Sequence, residues 1–188
     1  MQSPLAVIRS RTRPLHAQLE SSFDLTASFG SIPAYRDLLA RYLSIYKPFE
    51  AVLADEPIET LALISWPQRS RAAQLERDLA ALGGQPPVIP APELPMLDDL
   101  SSLLGALYVV EGSSLGGQII YRQIQQQLHL DATSGAAFFY GDGDETGSSW
   151  KRFTAILEEN ITEPERAADA AEAMFLAFGQ ALSSPKAA

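Results

Sequence analysis

Apolar residues along this chain recur at helical spacing, and nowhere do they alternate over the length of a strand. Ser3-Pro4 reads as an N-cap and first helical residue, opening a helix towards Phe23 with Leu15, Leu19 and Phe23 as its buried face. Pro14 is expected to kink that helix or to mark its true start, with Thr12 or Arg13 as the cap. Gly30-Ser31 opens a clearer one, where Tyr35, Leu38, Leu39, Tyr42, Ile45, Tyr46, Phe49 and Val52 keep one face over about five turns. A third is predicted from Trp66-Pro67 through Leu75, Leu79 and Leu82 to a stop at Gly83-Gly84.

The stretch from Gln85 to Pro95 carries five prolines and reads as a rigid loop. Helical pattern resumes near Met96 and runs through Tyr108 to about Leu128, interrupted by Gly112, Gly116 and Gly117. Residues 131–149, rich in Gly, Ser and Asp, read as loop. Trp150, Phe153, Ile156 and Leu157 mark a short amphipathic helix; Pro164 begins the last, with Ala171, Met174, Phe175, Phe178 and Leu182 on one face. No internal repeat is present, and the predicted class is all-α.

A length of 188 residues fits one domain, spanning 1–188 with its ordered core from about residue 5 to 182. Such a domain buries roughly 70% of its unfolded surface, enough to enclose a ligand as well as a core. Fourteen Lys+Arg against 23 Asp+Glu give a net charge of -9, which argues against a general nucleic-acid or anionic-membrane binder. The absence of cysteine excludes disulfides, thiolate metal sites and cysteine nucleophiles. Met1-Gln2-Ser3-Pro4 soon meets Arg9, Arg11 and Arg13 without an apolar signal core, and the longest strongly apolar stretch, Leu103 to Val110, is too short for a bilayer. The expectation is a soluble, cytoplasmic protein.

Three familiar motifs fail on inspection. Asp142 to Gly147 looks like the start of a calcium loop, but its twelfth position, which needs a bidentate glutamate, is Phe153. Gly112-Ser113-Ser114-Leu115-Gly116 matches a nucleophile elbow, yet its surroundings are helical and no acid separates Ser114 from the only downstream histidine, His129. A carboxylate-bridged di-iron bundle needs paired Glu-x-x-His motifs, whereas Arg13 and Gln126 stand three residues before His16 and His129.

Two features carry more. Glu20 lies one turn after His16, where a carboxylate can accept the Nδ1 proton and leave Nε2 free to face a metal. A lone histidine there is also compatible with simple packing or exposure; His129, at a helix end without such a partner, reads as structural. Three glycines within six residues of a helix each cost about 0.5–1 kcal/mol relative to alanine. Gly112, Gly116 and Gly117 fit either a close helix–helix contact or a backbone lying against a flat ligand.

Together these residues resemble the haem oxygenase family over almost the whole chain, from about Leu5 to Leu182. The resemblance is carried by Thr12-Arg13-Pro14-Leu15-His16-Ala17-Gln18-Leu19-Glu20 and by Leu107-Tyr108-Val109-Val110-Glu111-Gly112-Ser113-Ser114-Leu115-Gly116-Gly117-Gln118. Phe138-Phe139-Tyr140-Gly141 and Trp150-Lys151-Arg152-Phe153 add to it. The Glu-Gly-Ser-Ser-Leu-Gly-Gly form is most similar to bacterial members that accompany bacteriophytochromes. The resemblance implies haem bound between a proximal and a kinked distal helix, with His16 as axial iron ligand and Glu20 as its partner. It places Gly112, Ser113 and Gly116 at the distal face, Arg9, Tyr108 and Lys151 near the propionates, and Gly117 and Phe178 among the remaining haem contacts. Ser113 stands where many members carry an aspartate that orders water, so that Ser113, Ser114 and backbone carbonyls would hold the water chain. Ala155 stands where many carry a basic residue, which leaves the meso carbon attacked open.

The implied reaction is oxidative cleavage of haem b, substrate and cofactor at once, to biliverdin, CO and iron, using O₂ and external electrons. With no flavin or iron–sulfur motif in the chain, a ferredoxin or flavoprotein reductase is the implied donor, and a bacteriophytochrome the implied recipient of the bilin. The competing expectations are a non-catalytic haem carrier on the same fold and a helical interaction module without haem.

Overall fold

The computed structural model describes residues 2–22, 25–84 and 87–183. Its helices are α1 (Pro4–Ser22), α2 (Ile32–Ala54), α3 (Ile58–Leu63), α4 (Ala72–Ala81), α5 (Leu100–Leu128), α6 (Ala137–Tyr140), α7 (Thr146–Asn160) and α8 (Pro164–Ser183), with 3₁₀ turns at Leu25–Phe29 and Gly143–Glu145. No strand occurs among the described residues, and the fold is all-α. Helix α8 lies at its centre, packed against α5, α1 and α2, while α7 and α6 lean on α5 and α4 leans on α2.

Helix α1 starts where Ser3 and Pro4 predict, with the Ser3 hydroxyl accepting from Ala6 N at 3.3 Å. It then runs through Pro14 without a new start. Pro14 and Ser10 are both exposed, so the Ser10 carbonyl that loses its N–H partner faces water. The buried residues of α1 are Leu5, Ile8 and Thr12; Leu15 and Leu19 are only half-buried, because beyond Thr12 the helix borders a cleft. Phe23, Gln85 and Pro86, which the sequence reading also used, lie outside the described residues.

Helix α2 follows its predicted face from Tyr35 to Phe49, but Val52 is 44% exposed and Leu53 is buried in its place. Where a helix was expected from Trp66-Pro67, the chain instead makes a turn with Ser65 at φ 57° and a cis Trp66–Pro67 bond, and α4 begins only at Ala72. Its start is fixed from α2: the Glu50 carboxylate accepts from Arg71 N at 2.6 Å, Ala72 N at 2.9 Å and Ser70 Oγ at 2.7 Å. The supposed loop 131–149 likewise contains α6 and the first turn of α7. Asp78 of α4 caps α6 by accepting from Ala137 N at 2.9 Å and Phe138 N at 2.8 Å.

Helix α5 opens four residues later than Met96, on an Asp99–Ser102 capping box, and closes on His129 in the left-handed conformation, φ 55°. At 29 residues it is long and apolar enough to cross a membrane by length and composition, so the stretch from Leu103 to Val110 understates it. The residues from Ser101 to Glu111, Tyr108 excepted, are buried in the protein itself. Gly105 sets the distance to α8: a Cβ added there would fall against the Ala167 carbonyl, 2.6 Å from its carbon and 2.8 Å from Cα. Backbone cannot move aside as a flexible side chain can, so Gly105→Ala is expected to destabilise the protein by about 1–3 kcal/mol, read as a lower urea midpoint at unchanged slope.

Candidate functional site

A cleft of about 260 Å³ opens between α1, α5, α7 and α8. One wall is His16, Leu19 and Glu20 of α1; the opposite wall is α5 from Tyr108 to Ile120; Trp150 and the α8 residues Phe175, Phe178 and Leu182 complete it. The lining is predominantly apolar, which suits a large flat hydrophobic ligand.

His16 is the only imidazole in this cleft, with its side chain 59% exposed. Its ring meets Phe175 edge-on, with centroids 5.7 Å apart. Glu20 Oε2 lies 3.4 Å from Nδ1, in position to accept its proton but long for a hydrogen bond. Among the described residues no side chain hydrogen-bonds Nε2, and no cluster of three or more metal-ligating side chains occurs. A single imidazole would not hold a bare transition-metal ion well; it does fit a metal whose other ligands come from a macrocycle.

The glycines of α5 divide by role. A Cβ at Gly116 would meet nothing within 4 Å, so this backbone is open to the cleft. At Gly112 it would touch the Trp150 ring at 3.4 Å, and Trp150 in turn packs on Tyr108 at 5.5 Å between centroids. Gly117, expected among the haem contacts, turns instead towards α6: a Cβ there would lie 3.4 Å from the Phe139 carbonyl oxygen. Gly105, which the sequence reading did not single out, makes the close helix–helix contact.

Tyr108 and Phe178 line the cleft as expected. Arg9 and Lys151 do not; both are exposed outside the lining. Trp150, Phe175, Leu19, Ile120 and Tyr42 line it without having been singled out as contacts. Their only sequence signal was apolar character on helices, which does not tell a cleft-facing side from a core-facing one.

Ser113 borders the cleft and turns its hydroxyl towards α2. It donates to the Val110 carbonyl at 2.8 Å and shares a 2.7 Å bond with the Tyr46 hydroxyl. Burial raises the pKa of Tyr46 and pushes that of Tyr42 up to about 12, so both stay protonated at neutral pH. On the far side of α5, Glu111 pairs with Arg69 at 2.8 Å, and Arg71 pairs with Asp142 at 2.7 Å. Burial pushes the Glu111 carboxyl above the usual carboxylate range, against the pull of Arg69 and Arg71.

The fold is that of solved haem oxygenases. The structure from Neisseria meningitidis, described with NO and CO bound, superposes with a TM-score of 0.81 at 22% identity, covering 100% of this chain and 98% of that one. Haem oxygenase 2 of Chlamydomonas reinhardtii, solved without haem, gives 0.77 at 15% identity, covering 100% and 99%. In sequence, the chain is 33% identical over 153 residues to the haem oxygenase of Xanthomonas campestris pv. campestris, covering 80% of this chain and 89% of the relative. It is also 33% identical over 181 residues to haem oxygenase PigA of Pseudomonas aeruginosa, covering 91% and 87%. With the "Heme oxygenase" family model matching residues 3–184 as well, the chain belongs to the haem oxygenase family. That membership brings haem as substrate and dioxygen as co-substrate.

The open position at Gly116 separates its two costs. Gly116→Ala should raise the stability of the haem-free protein by about 0.5–1 kcal/mol, because alanine is the better helix former. The same methyl enters the cleft and should weaken haem binding, so urea midpoints with and without haem should move in opposite directions.

Proposed function

We propose that this protein opens haem to biliverdin, CO and iron in the cleft between α1 and α5, with His16 as the axial iron ligand. The carrying observation is the opposition of a lone imidazole on α1 to a wall of α5 whose Gly116 bears no side chain. When bound, haem supplies the iron that binds and reduces dioxygen, together with the porphyrin ring that is oxidised. The chain's own residues do the rest. Glu20, 3.4 Å from His16 Nδ1, is placed to accept its proton and so to fix the ring with Nε2 available to the cleft. Gly112 and Gly116 let the α5 backbone stand close to the ligand's open face, and Trp150, Phe175 and Phe178 exclude water from its edges. Ser113 borders that face with its hydroxyl held by the Val110 carbonyl and Tyr46. Tyr108 orients the polar edge from within the cleft, and Arg9 and Lys151, exposed outside its lining, are the cations that would have to reach the propionates.

Electrons come from an external ferredoxin or flavoprotein reductase. The reading places the protein in the cytoplasm, with a bacteriophytochrome as the recipient of the bilin.

The test is an absorption titration with hemin followed by ascorbate in air. The expected result is a sharp Soret band at one equivalent that collapses into a broad red bilin absorption. A Soret band that persists would leave a haem carrier on this fold, and no band would return His16 to a structural role. Glu20→Ala should weaken haem affinity about 10–100-fold, as loss of a ligand's hydrogen-bond partner commonly does, and His16→Ala should abolish the native Soret position.

A further inference from the structure

A second pocket of about 240 Å³, nearly the size of the cleft, lies between α1 and α8. Its α1 side is Leu15, Gln18, Leu19 and Ser22, one helical face at spacings of three and four residues, and α8 closes it from Phe175 to Ser183. Arg11 ties α1 to the first half of α8. Beyond Thr12 no residue of α1 is buried, and the space left between the two helices there is this pocket. Every lining residue is leucine, phenylalanine, glycine, serine or glutamine, so the pocket holds no ionisable group although the chain carries a net charge of -9. We propose that this pocket binds a small uncharged ring with a lactam edge and, resting here on the reading of the neighbouring cleft as the haem site, that its occupation tightens haem binding by bracing the part of α1 that carries His16.

Two residues fix the chemistry of the ligand. A glycine inside a helix costs stability relative to alanine unless its bare backbone is used. At Gly179 no packed neighbour uses it: a Cβ there would meet nothing within 4 Å, the same condition as at Gly116 in the cleft. The backbone of α8 is thus open for a flat ring to lie against. Opposite it, Gln18 engages only its main-chain carbonyl, which accepts from Ser21 and Ser22, and its carboxamide has no hydrogen-bond partner among the described residues. A carboxamide presents an acceptor and a donor side by side. A ring lactam, whose N–H and C=O are held cis, answers both at once. A charged ring would lose its hydration and find no counter-charge in this lining. An apolar cavity of about 150 Å³ takes benzene, so this one has room for a second fused ring.

Leu19 and Phe175 line both spaces, so these two side chains are the wall between pocket and cleft. On the cleft side the Phe175 ring meets His16 edge-on, 5.7 Å between centroids. A ring seated in the pocket presses on the same two side chains from behind. It removes motion of α1 and Phe175 that haem binding otherwise has to remove itself, so haem binds more tightly to the occupied protein. By linkage, haem raises the affinity for the ring by the same factor.

The probe is 2-quinolone, a neutral two-ring lactam; its control is quinoline, which keeps the rings and lacks the lactam edge. In the haem-free protein 2-quinolone should shift the NMR resonances of the Gln18 side-chain amide and the Gly179 main-chain amide, and quinoline should bind about tenfold more weakly. Gln18→Ala, at an exposed position, should weaken 2-quinolone about tenfold and leave quinoline unchanged. Gly179→Leu fills the pocket and should abolish binding of both. Saturating 2-quinolone should lower the hemin dissociation constant of the wild type about fivefold and leave that of Gly179→Leu unaltered. No resonance shift, shifts centred on Tyr108 and Gly116, equal affinity for quinoline, or undiminished binding to Gln18→Ala would each overturn the lactam site. A hemin constant indifferent to 2-quinolone would overturn the coupling. Wild-type protein that binds no hemin would overturn the haem-site reading and the coupling with it, while the 2-quinolone titration, made without haem, still decides the pocket.

Discussion

The backbone contact between Gly105 and Ala167 is the constraint on which the rest of this molecule depends. It brings α5 and α8 closer than any side chain larger than hydrogen would allow at position 105. Around it α8 turns a face of small residues inward, Ala167, Ala168, Ala170 and Ala171, all buried. From that contact both helices run on to the cleft, which α5 lines from Tyr108 to Ile120 and α8 from Phe175 to Leu182. The contact therefore sets the spacing of two walls of the site. The far end of α8 is secured separately: the buried Arg41 donates to the carbonyls of Ala181 and Leu182 at 3.0 and 3.2 Å, satisfying groups that a helix end leaves open.

Much of the fold was legible because it follows from period and caps within one segment. Ser3 and Ser31 open their helices as their residue types predict, and the face from Tyr35 to Phe49 is buried as the spacing requires. The elements that were missed owe their position to distant residues. Glu50 sets the start of α4 from another helix, and Asp78 stabilises α6 from 59 residues away in sequence. No local pattern records such caps, and a stretch rich in Gly, Ser and Asp hides short helices whose donors are satisfied remotely. Leu19 looks like core by period, yet it borders the cleft, since periodicity reports apolar character and not what covers it.

The candidate cleft was legible in two pairs of residues. His16 with Glu20, and glycine at 112 and 116, lie on opposing walls of one cleft. The two explanations available for helical glycine turn out to be divided among positions: Gly116 opens to the cleft, whereas Gly105 and Gly117 serve close approach to α8 and α6. Composition treats all of them alike, and only the partner across the gap distinguishes them. The buried Glu111 could not be paired for the same reason, since its partner Arg69 lies 42 residues earlier in the chain.

Helix α1 has the mechanics of a cantilever. Near its root, Arg11 grips three carboxylates along α8, Glu165 at 3.0 Å, Asp169 at 2.7 Å and Glu172 at 2.6 Å, while Leu5 and Ile8 are buried alongside. Beyond Thr12 its arm carries His16 over the cleft, held by the half-buried Leu15 and Leu19 and by the edge contact with Phe175. The grip is partly exposed to solvent, so ions in the surrounding medium screen it. The stiffness of the arm that presents the imidazole is thus coupled to ionic strength at a point more than one helical turn from the imidazole itself.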